Sequence, residues 1–140
     1  MNNNLLLDEV FIPDDLHIFL LEDTRLYQAK MHADLKALGF RGRLTVAASL
    51  EQAAAKFKED KADFYLVDWN LPDGIGLDFL RLIRADKAFD NIPVLMVTAL
   101  SDIDNILDAT KDGADGYIVK PWDQKELTEK IAFAYKTRKK

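Results

Sequence analysis

Five short runs of apolar residues recur along the chain and predict β-strands. Within each run the apolar residues are nearly continuous, whereas a strand with one solvent-exposed face would alternate apolar and polar residues. Nearly continuous runs are typical of a parallel sheet that helices cover on both faces. The predicted strands lie at residues 16–21, 44–47, 64–67, 93–97 and 116–119.

A segment with helical character follows each predicted strand. In the first segment apolar residues recur at mostly helical spacing, and Gly39 stands where a glycine commonly ends a helix. Ser49 and Gln52 have the spacing of a capping box at the start of the second helix, and Asp123 and Glu126 have the same spacing at the start of the fifth. The helices are expected at residues 25–38, from Ser49, at 76–84, at 102–111 and from Asp123.

The fivefold alternation of strand and helix predicts an α/β fold. Parallel neighbours in a sheet need right-handed crossover connections, and helical crossovers cover both of its faces. The expected architecture is therefore a doubly wound five-stranded parallel sheet with five helices. Because ligands of such folds bind beyond the carboxyl ends of the strands, the residues that end strands are the first candidates for a functional site.

The composition is that of an ordinary globular domain and narrows the function classes. The chain has 140 residues, about one domain, of which 49% are hydrophobic and 31% are charged. Its formal net charge of −5 does not favour a nucleic-acid or anionic-lipid partner. Cysteine is absent, which excludes a disulfide framework and a thiolate metal site. The basic residues within 136–140 are expected to complement the negative end of a terminal helix.

The first residues of the chain lack the features of an export signal. Residues 1–10 contain no lysine or arginine, and Asp8 and Glu9 interrupt their apolar run, so no signal peptide is predicted. No apolar run approaches the roughly 20 residues that cross a bilayer, and a cytoplasmic protein is expected. Residues 1–14 are expected to form an N-terminal extension to a domain at 15–140. The apolar side chains of this extension could pack on the domain or mediate association, and intramolecular packing is favoured. These side chains are Leu5, Leu6, Leu7, Val10, Phe11 and Ile12.

Polar residues stand at the ends of four predicted strands. Taken singly, each has an ordinary explanation, since an acid pair such as Glu22 and Asp23 commonly caps a helix and Lys120 could be a solvated charge. The predicted fold, however, brings all of them to one edge of one sheet, which separate explanations do not account for. They are Glu22 and Asp23 after the first strand, Asp68 after the third, Thr98 after the fourth, and Lys120 with Pro121 after the fifth.

The residue types at this edge point to phosphoryl chemistry. Three carboxylates in a partly dehydrated cleft raise one another's pKa unless a cation lies among them. Oxygen ligands without histidine or cysteine indicate Mg²⁺ or a similar hard ion. An aspartate can act as a nucleophile toward phosphoryl groups, and Asp68 is the central candidate. Lys120 would then neutralise one phosphoryl oxygen, and the Thr98 hydroxyl would donate a hydrogen bond to another.

Three motifs give these residues a family context. They are Phe-Tyr-Leu-Val-Asp-Trp-Asn-Leu-Pro-Asp-Gly at 64–74, Val-Thr-Ala at 97–99, and Gly-Ala-Asp-Gly-Tyr-Ile-Val-Lys-Pro at 113–121. With their spacing, they make the chain resemble the response-regulator receiver family from about residue 16 to 135, and most of all its stand-alone, CheY-like chemotaxis members. The resemblance implies a flavodoxin-like fold with strand order 2-1-3-4-5.

The resemblance also implies a phosphorylation site that uses magnesium. By this resemblance Asp68 is the phosphoacceptor, and Mg²⁺ is bound by Asp23, Asp68 and the main-chain carbonyl of Asn70. Glu22 would assist through a water molecule. The phosphoryl donor would be a histidine kinase or a histidine-phosphotransfer protein, and the chain would catalyse only its own phosphorylation and dephosphorylation.

A second set of residues is expected to sense the phosphoryl group. The resemblance implies that Thr98, Ala99 and Lys120 bind it. Tyr117 would be the switch aromatic, which rotates inward when Thr98 is drawn toward that group. The peptide bond between Lys120 and Pro121 is expected to be cis.

The expected output is a protein-binding surface. The receiver pattern ends near residue 135 and leaves no room for an effector domain, so a downstream protein is expected to dock where the fourth helix, fifth strand and fifth helix surround Tyr117. A monomer, or at most a weak dimer, is expected. Leu100 cannot orient a water molecule, which puts fast autodephosphorylation in doubt. Asp102 and Asp104 replace the basic residues of motor-binding relatives, which leaves the flagellar motor open as a partner. The residues expected to flank Tyr117 are Ile106, Ile118 or Val119, and Lys125 or Glu129.

Three alternative functions can be compared with this one. Haloacid-dehalogenase-type phosphatases combine similar residues, but their nucleophile follows the first strand, where this chain has Glu22 and Asp23. A flavin site on the same fold is disfavoured because that acidic segment lacks a glycine for a phosphate cradle. An adaptor that works without phosphorylation remains open, since fold does not determine function, although the intact acid set argues against it.

Overall fold

The computed structural model describes residues 3–139. Met1 and Asn2 of the expected extension, and Lys140 of the expected domain, lie outside the described residues. The strands are β1 (Asn4–Leu7), β2 (Val10–Pro13), β3 (Ile18–Leu21), β4 (Leu44–Ala47), β5 (Phe64–Asp68), β6 (Asn70–Leu71), β7 (Gly74–Ile75), β8 (Val94–Ala99) and β9 (Tyr117–Lys120). The helices are α1 (Arg25–Leu38), α2 (Leu50–Glu59), α3 (Gly76–Ala85), α4 (Ile106–Lys111) and α5 (Gln124–Arg138), with short 3₁₀ helices at Lys87–Phe89 and Leu100–Asn105.

Five of these strands form one parallel sheet in the order β4-β3-β5-β8-β9. Counting only the strands of this sheet along the chain, the order is 2-1-3-4-5, so the predicted doubly wound fold is confirmed. The predicted strand boundaries agree with the observed ones to within two residues. The central strands β3 and β5 are buried along their whole length, whereas the edge strands β4 and β9 are mostly half-buried. This difference explains why apolar character is most continuous in the centre of the sheet.

The strands alternate their side chains between two cores. In β3, Phe19 and Leu21 pack under α2, α3 and α4, whereas Ile18 and Leu20 pack under α1 and α5. Burial of both sets is what fixes the register of each strand, because a shift by one residue would exchange the two cores. None of the helices within residues 3–139 is both long and apolar enough to cross a membrane.

Side chains cap three of the helices where the sequence has capping residues. The Thr24 hydroxyl accepts a hydrogen bond from the Tyr27 amide, and Ser49 and Asp123 cap α2 and α5 in the same way. Gly39 ends α1 with a φ of 109°, a conformation that favours glycine.

The fourth helix differs from the prediction. Only residues Ile106–Lys111 are α-helical, and the preceding turn, Leu100–Asn105, is a 3₁₀ helix. The start of this segment has no side-chain cap, because the capping position is Ala99, which has no polar side chain. Inside the segment, the carboxylate of Asp102 accepts a hydrogen bond from Asn70. The expected helix at 102–111 is therefore correct only in its second half.

The N-terminal residues form an antiparallel hairpin of β1 and β2. Asp8 and Glu9 make its two-residue turn, both with positive φ. Leu7 and Ile12 are buried in the core shared with α1 and α5, which agrees with the favoured intramolecular packing. The opposite face of the hairpin, with Leu6 and Phe11, is exposed.

The amino-terminal end of the sheet is closed by a buried ion cluster. Asp115 accepts hydrogen bonds from Arg84 and Arg138 and from the Val94 amide. Arg138 also donates to the carbonyl oxygens of Asp90 and Gly113. The sequence predicted only that the basic end of α5 complements the negative end of the helix. In the structure, Arg138 of this segment also makes specific hydrogen bonds.

Candidate functional site

The carboxyl ends of four parallel strands bring the candidate residues together. Strand pairing sets Asp68 beside Val97 and Ala99 beside Lys120. Glu22 and Asp23 follow β3, the other neighbour of β5. Residues that are far apart in the chain therefore meet at one edge, as the sequence predicted for parallel strands.

Three carboxylates form the acidic part of the site. One oxygen each from Glu22, Asp23 and Asp68 lies within 4.8 Å of the other two. Glu22 and Asp68 are buried, whereas Asp23 is exposed. The second carboxylate oxygen of Glu22 accepts hydrogen bonds from the amide of Thr24, at 3.0 Å, and from its hydroxyl, at 3.2 Å. The capping residue of α1 therefore also holds Glu22 in place.

Lys120 is the cation that the described residues place inside this cluster. Its ammonium lies 2.6 Å from an oxygen of Glu22 and 3.1 Å from an oxygen of Asp68. Burial alone would lower the pKa of Lys120, but the hydrogen bond to Glu22 and the charges of Asp68 and Glu22 outweigh burial and raise it. The lysine is therefore charged and bridges two strand ends.

The carboxyl group of Asp68 is under electrostatic strain. Burial, followed by the negative charge of Glu22, raises the pKa of Asp68 to about 7, although Lys120 acts in the opposite direction. A single ammonium thus does not compensate the two buried carboxylates. A further positive charge among the three carboxylates would relieve the repulsion, and an all-oxygen donor set is what a hard divalent ion prefers.

Asn70 begins β6, the first strand of the short β6–β7 hairpin, and side chains hold this hairpin on both sides. The side-chain amide of Asn70 donates to Asp102 at 2.5 Å, and Asp73 in the same hairpin accepts hydrogen bonds from the amides of Leu50 and Glu51 at the start of α2. Sequence analysis noted Asp102 only as a departure from motor-binding relatives, and missed this contact. The available signal was that Asp102 and Asn70 are polar residues that closely follow the ends of neighbouring strands, at Thr98 and Asp68.

The residues expected to sense a phosphoryl group lie on the neighbouring strands. Thr98 is fully buried at the end of β8, where its hydroxyl donates to the carbonyl of Ala99 at 3.2 Å. The peptide bond from Lys120 to Pro121 is cis. Tyr117 is half-buried, and its ring packs against the core under α4 and beside the ammonium of Lys130 at 4.7 Å.

The surface around Tyr117 differs in part from the expected one. Ile106 and Ile118 are buried core residues, because their side chains point into the two cores of the sheet, so neither forms part of an exposed surface. The exposed apolar side chains of these elements are Leu107 on α4 and Phe133 on α5. Leu100, expected beside the site, is also exposed.

An aromatic residue, Tyr27, contacts Lys120 and packs against Trp122, and sequence analysis assigned neither aromatic residue a role. The Lys120 ammonium lies 4.5 Å from the ring centre of Tyr27 on α1, and this ring lies 5.5 Å from that of Trp122. No motif marks Tyr27, so only the three-dimensional structure reveals the contact.

Comparison with known proteins gives the family of the chain. The model of the response regulator receiver domain matches residues 18–132. The chemotaxis protein CheY-3 of Vibrio cholerae is 33% identical over 123 residues, which are 88% of this chain and 94% of that protein. The chemotaxis protein CheY of Pseudomonas aeruginosa is 48% identical over 69 residues, which are 49% of this chain and 56% of that protein, so this match spans little more than half of the relative.

Solved receiver domains have the same fold. One is the receiver domain of the sensor histidine kinase PA1611 from Pseudomonas aeruginosa, with a magnesium ion coordinated in its active site cleft. It matches with a TM-score of 0.74 and 27% identity over 87% of this chain and 98% of that one. A CheY-like receiver protein from Methanospirillum hungatei matches with a TM-score of 0.75 and 26% identity over 89% of this chain and 96% of that one. The chain therefore belongs to the response regulator receiver domain family and is a CheY-like member of it.

Proposed function

We propose that this chain is a phosphorylation switch in which Asp68 accepts a phosphoryl group from a histidine kinase or a histidine-phosphotransfer protein. The observation that carries the proposal is the buried Asp68 carboxylate, 3.1 Å from the ammonium of Lys120 and beside two further carboxylates. The proposal is for a signalling protein of the cytoplasm that catalyses only its own phosphorylation and dephosphorylation.

In the proposed reaction Asp68 is the nucleophile. One of its carboxylate oxygens attacks the donor's phosphorus while the bond from phosphorus to the donor atom breaks. The electron pair of that bond stays with the donor, a histidine nitrogen or the carboxylate of an acyl phosphate, and an acyl phosphate forms on Asp68. Lys120 then has a phosphoryl oxygen to pair with in addition to Glu22, and Thr98 and Ala99 line the neighbouring strand end.

The carboxylates of the site fit a magnesium ion. In the proposal Asp23, Asp68 and the main-chain carbonyl of Asn70 hold it, with Glu22 acting through a water molecule. The bound ion would neutralise the repulsion between the carboxylates and the incoming phosphoryl oxygens. The oxygen atoms of the three acids, within 4.8 Å of one another, support this assignment.

The proposed output is a change at the surface that α4, β9 and α5 share. Tyr117 connects this surface to the site, because it lies on β9, three residues before Lys120, and packs against the core under α4. In the proposal, Thr98 moves toward the phosphoryl group and Tyr117 turns inward, which changes the surroundings of Leu107, Lys130 and Phe133. A downstream protein would dock there.

The test is phosphorylation by acetyl phosphate with Mg²⁺, followed by mass spectrometry of the intact protein. The wild type should gain one phosphoryl mass, and Asp68→Asn should gain none. Asp14→Asn is the matched control, because Asp14 is a buried aspartate outside the acid cluster, paired with Arg41. It should be labelled as the wild type is.

Two results would contradict the proposal. Magnesium-dependent labelling of Asp68→Asn would move the chemistry to another residue. A wild type that is not labelled by acetyl phosphate, nor by a panel of phosphorylated phosphotransfer proteins, would favour an adaptor that works without phosphorylation.

A further inference from the structure

The ring of Tyr27 lies between the phosphorylation site and a buried tryptophan. Tyr27 is half-buried in the first turn of α1. On one side, the Lys120 ammonium lies 4.5 Å from the centre of its ring. On another, the ring of Trp122 lies 5.5 Å away at an angle of 41°. Lys120 and Trp122 stand on either side of Pro121, so the same short turn contacts Tyr27 twice.

Trp122 is itself held by α1. Its indole N–H donates a hydrogen bond to the carboxylate of Asp34 at 2.9 Å, and Lys30 pairs with the same carboxylate oxygen at 2.9 Å. Trp122 is buried, and the Lys30 ammonium lies 5.0 Å from the centre of its ring. Trp122, the aromatic partner of Tyr27, is therefore fixed by contacts that do not involve the phosphorylation site.

This arrangement limits where the Lys120 ammonium can go. A lysine side chain has a flexible stem and a mobile charge, so carboxylates alone would hold it in several geometries. Here the carboxylates of Glu22 and Asp68 contact the ammonium at 2.6 and 3.1 Å, and the face of Tyr27 provides a further attractive contact. An aromatic face attracts an ammonium through its negative electrostatic potential, and the contact is stronger in a partly dehydrated site.

We infer that Tyr27 is a positioning residue for phosphoryl capture, which holds the Lys120 ammonium at the place where the incoming phosphoryl oxygen arrives. The inference rests on the proposed phosphorylation of Asp68. Tyr27 acts through Lys120, and Trp122 with Asp34 keeps its ring in place. Because the ring face makes the contact, the aromatic ring is required and the hydroxyl group is not.

The test compares Tyr27→Leu, which removes the ring, with Tyr27→Phe, which keeps it. The measured quantity is the rate of Asp68 phosphorylation as a function of acetyl phosphate concentration, at saturating Mg²⁺. The slope of this rate against acetyl phosphate concentration should fall about fivefold in Tyr27→Leu, as loss of a cation–π contact predicts. In Tyr27→Phe the slope should stay within about twofold of wild type. Tyr135→Leu is the control, since Tyr135 also has a lysine over its ring, that of Lys139, but lies near the end of α5.

Magnesium affinity separates positioning from a general structural defect. The emission of Trp69, the neighbour of Asp68, should report Mg²⁺ binding. Tyr27→Leu leaves the three carboxylates unchanged, so its affinity should stay within about twofold of wild type while phosphoryl capture falls. A destabilised site would lose both magnesium affinity and phosphoryl capture. Thermal unfolding followed by circular dichroism shows whether the variant is folded at the assay temperature.

Several results would overturn the inference. An unchanged slope in Tyr27→Leu, an equal loss in Tyr27→Phe, or a parallel loss of magnesium affinity would each show that Tyr27 does not position Lys120 through its ring. If the wild type is labelled at Asp68 and only the Tyr27 variants behave in these ways, the positioning role fails and the proposed function stands. If the wild type is not phosphorylated at all, both fail.

Discussion

The two ends of the parallel sheet carry buried carboxylates in opposite electrostatic situations. At the carboxyl end, the acids Glu22, Asp23 and Asp68 lie together, and the ammonium of Lys120 pairs with Glu22 and Asp68. At the amino end, Asp115 alone has two guanidinium partners, from Arg84 and Arg138, and the amide of Val94. The cluster at the carboxyl end has more negative charge than Lys120 balances, whereas both carboxylate oxygens of Asp115 are paired.

This difference separates a binding site from a structural contact. A buried carboxylate whose oxygens are all paired has no remaining capacity for a ligand, and it connects the elements that supply its partners. A cluster with surplus negative charge destabilises its own ionised form and favours whatever positive charge enters it. Burial, followed by the negative charge of Glu22, raises the pKa of Asp68 to about 7. Burial also raises the pKa of Asp115, but there the neighbouring charges of Arg138 and Arg84 act against the shift.

The largest expected effect comes from breaking the paired end. Asp115→Ala would remove the buried carboxylate shared by Arg84 and Arg138, whose side chains are only partly exposed, and we expect a loss of about 3 kcal/mol in the free energy of unfolding. The side chain of Asp115 is only 2% exposed, so its hydrogen bonds are shielded from water. Urea denaturation followed by circular dichroism measures the change.

A nearby exposed pair serves as the control for this variant. Asp112 pairs with Arg81, whose side chain is 59% exposed, and Asp112→Ala should cost less than about 1 kcal/mol. Equal losses in Asp115→Ala and Asp112→Ala would show that burial of the ion cluster contributes little. At a temperature where Asp115→Ala is folded, it should still be phosphorylated.

The second prediction concerns the opposite end, where removing a charge should stabilise the protein. The pKa of Asp68 in the folded state lies above its ordinary value, so the wild type loses stability as pH rises from about 4 to about 7. Asp68→Asn has no such loss. Without divalent ions at pH 8, this variant should be more stable than wild type by roughly 2 kcal/mol, and the two should converge toward pH 4.

Magnesium provides the internal check on that prediction. Binding of Mg²⁺ should stabilise the wild type more than Asp68→Asn, because the ion binds the folded state through the carboxylates. The difference between the two proteins in urea denaturation should therefore shrink as Mg²⁺ is added. An Asp68→Asn protein that is less stable than wild type at pH 8 without Mg²⁺ would mean that the contact with Lys120 outweighs the repulsion.

The cluster of acids at the carboxyl end could be predicted from the sequence, because it follows from the type of the strands and from their alternation with helices. Nearly continuous apolar strands indicate a parallel sheet, and parallel strands that alternate with helices end at the same edge. Those two inferences place Glu22, Asp68 and Lys120 together without any knowledge of side-chain geometry. The order of the strands came from the family resemblance.

Other features depend on geometry that the sequence pattern does not carry. The N-terminal hairpin turns at Asp8 and Glu9 with positive φ, a conformation that glycine or asparagine usually marks in a sequence. The 3₁₀ turn before α4 contains Asp102, which accepts a hydrogen bond from Asn70, a residue 32 positions earlier in the chain. The contact of Tyr27 with Lys120 likewise joins a helix to a distant strand. The contacts of Asp102 with Asn70 and of Tyr27 with Lys120 are tertiary contacts, which a local sequence pattern does not reveal.

The last prediction has the smallest expected effect and concerns Asp73, an acid at the carboxyl end of the sheet that lies outside the cluster of Glu22, Asp23 and Asp68. Asp73 is exposed, and its two oxygens accept hydrogen bonds from the amides of Leu50 and Glu51 at 2.9 and 3.0 Å. These hydrogen bonds lower the pKa of Asp73, so its charge stabilises the folded state above the ordinary pKa of an aspartate, and this contribution is lost as pH falls through the lowered value. Asp73→Asn keeps one acceptor and should be slightly less stable than wild type at pH 7, with the difference shrinking in acid. This is the opposite sign and the opposite pH trend to Asp68→Asn, so the same urea denaturation series measures both. An Asp73→Asn protein that is more stable than wild type at pH 7 would mean that Asp73, like Asp68, belongs to the repelling cluster rather than to the start of α2.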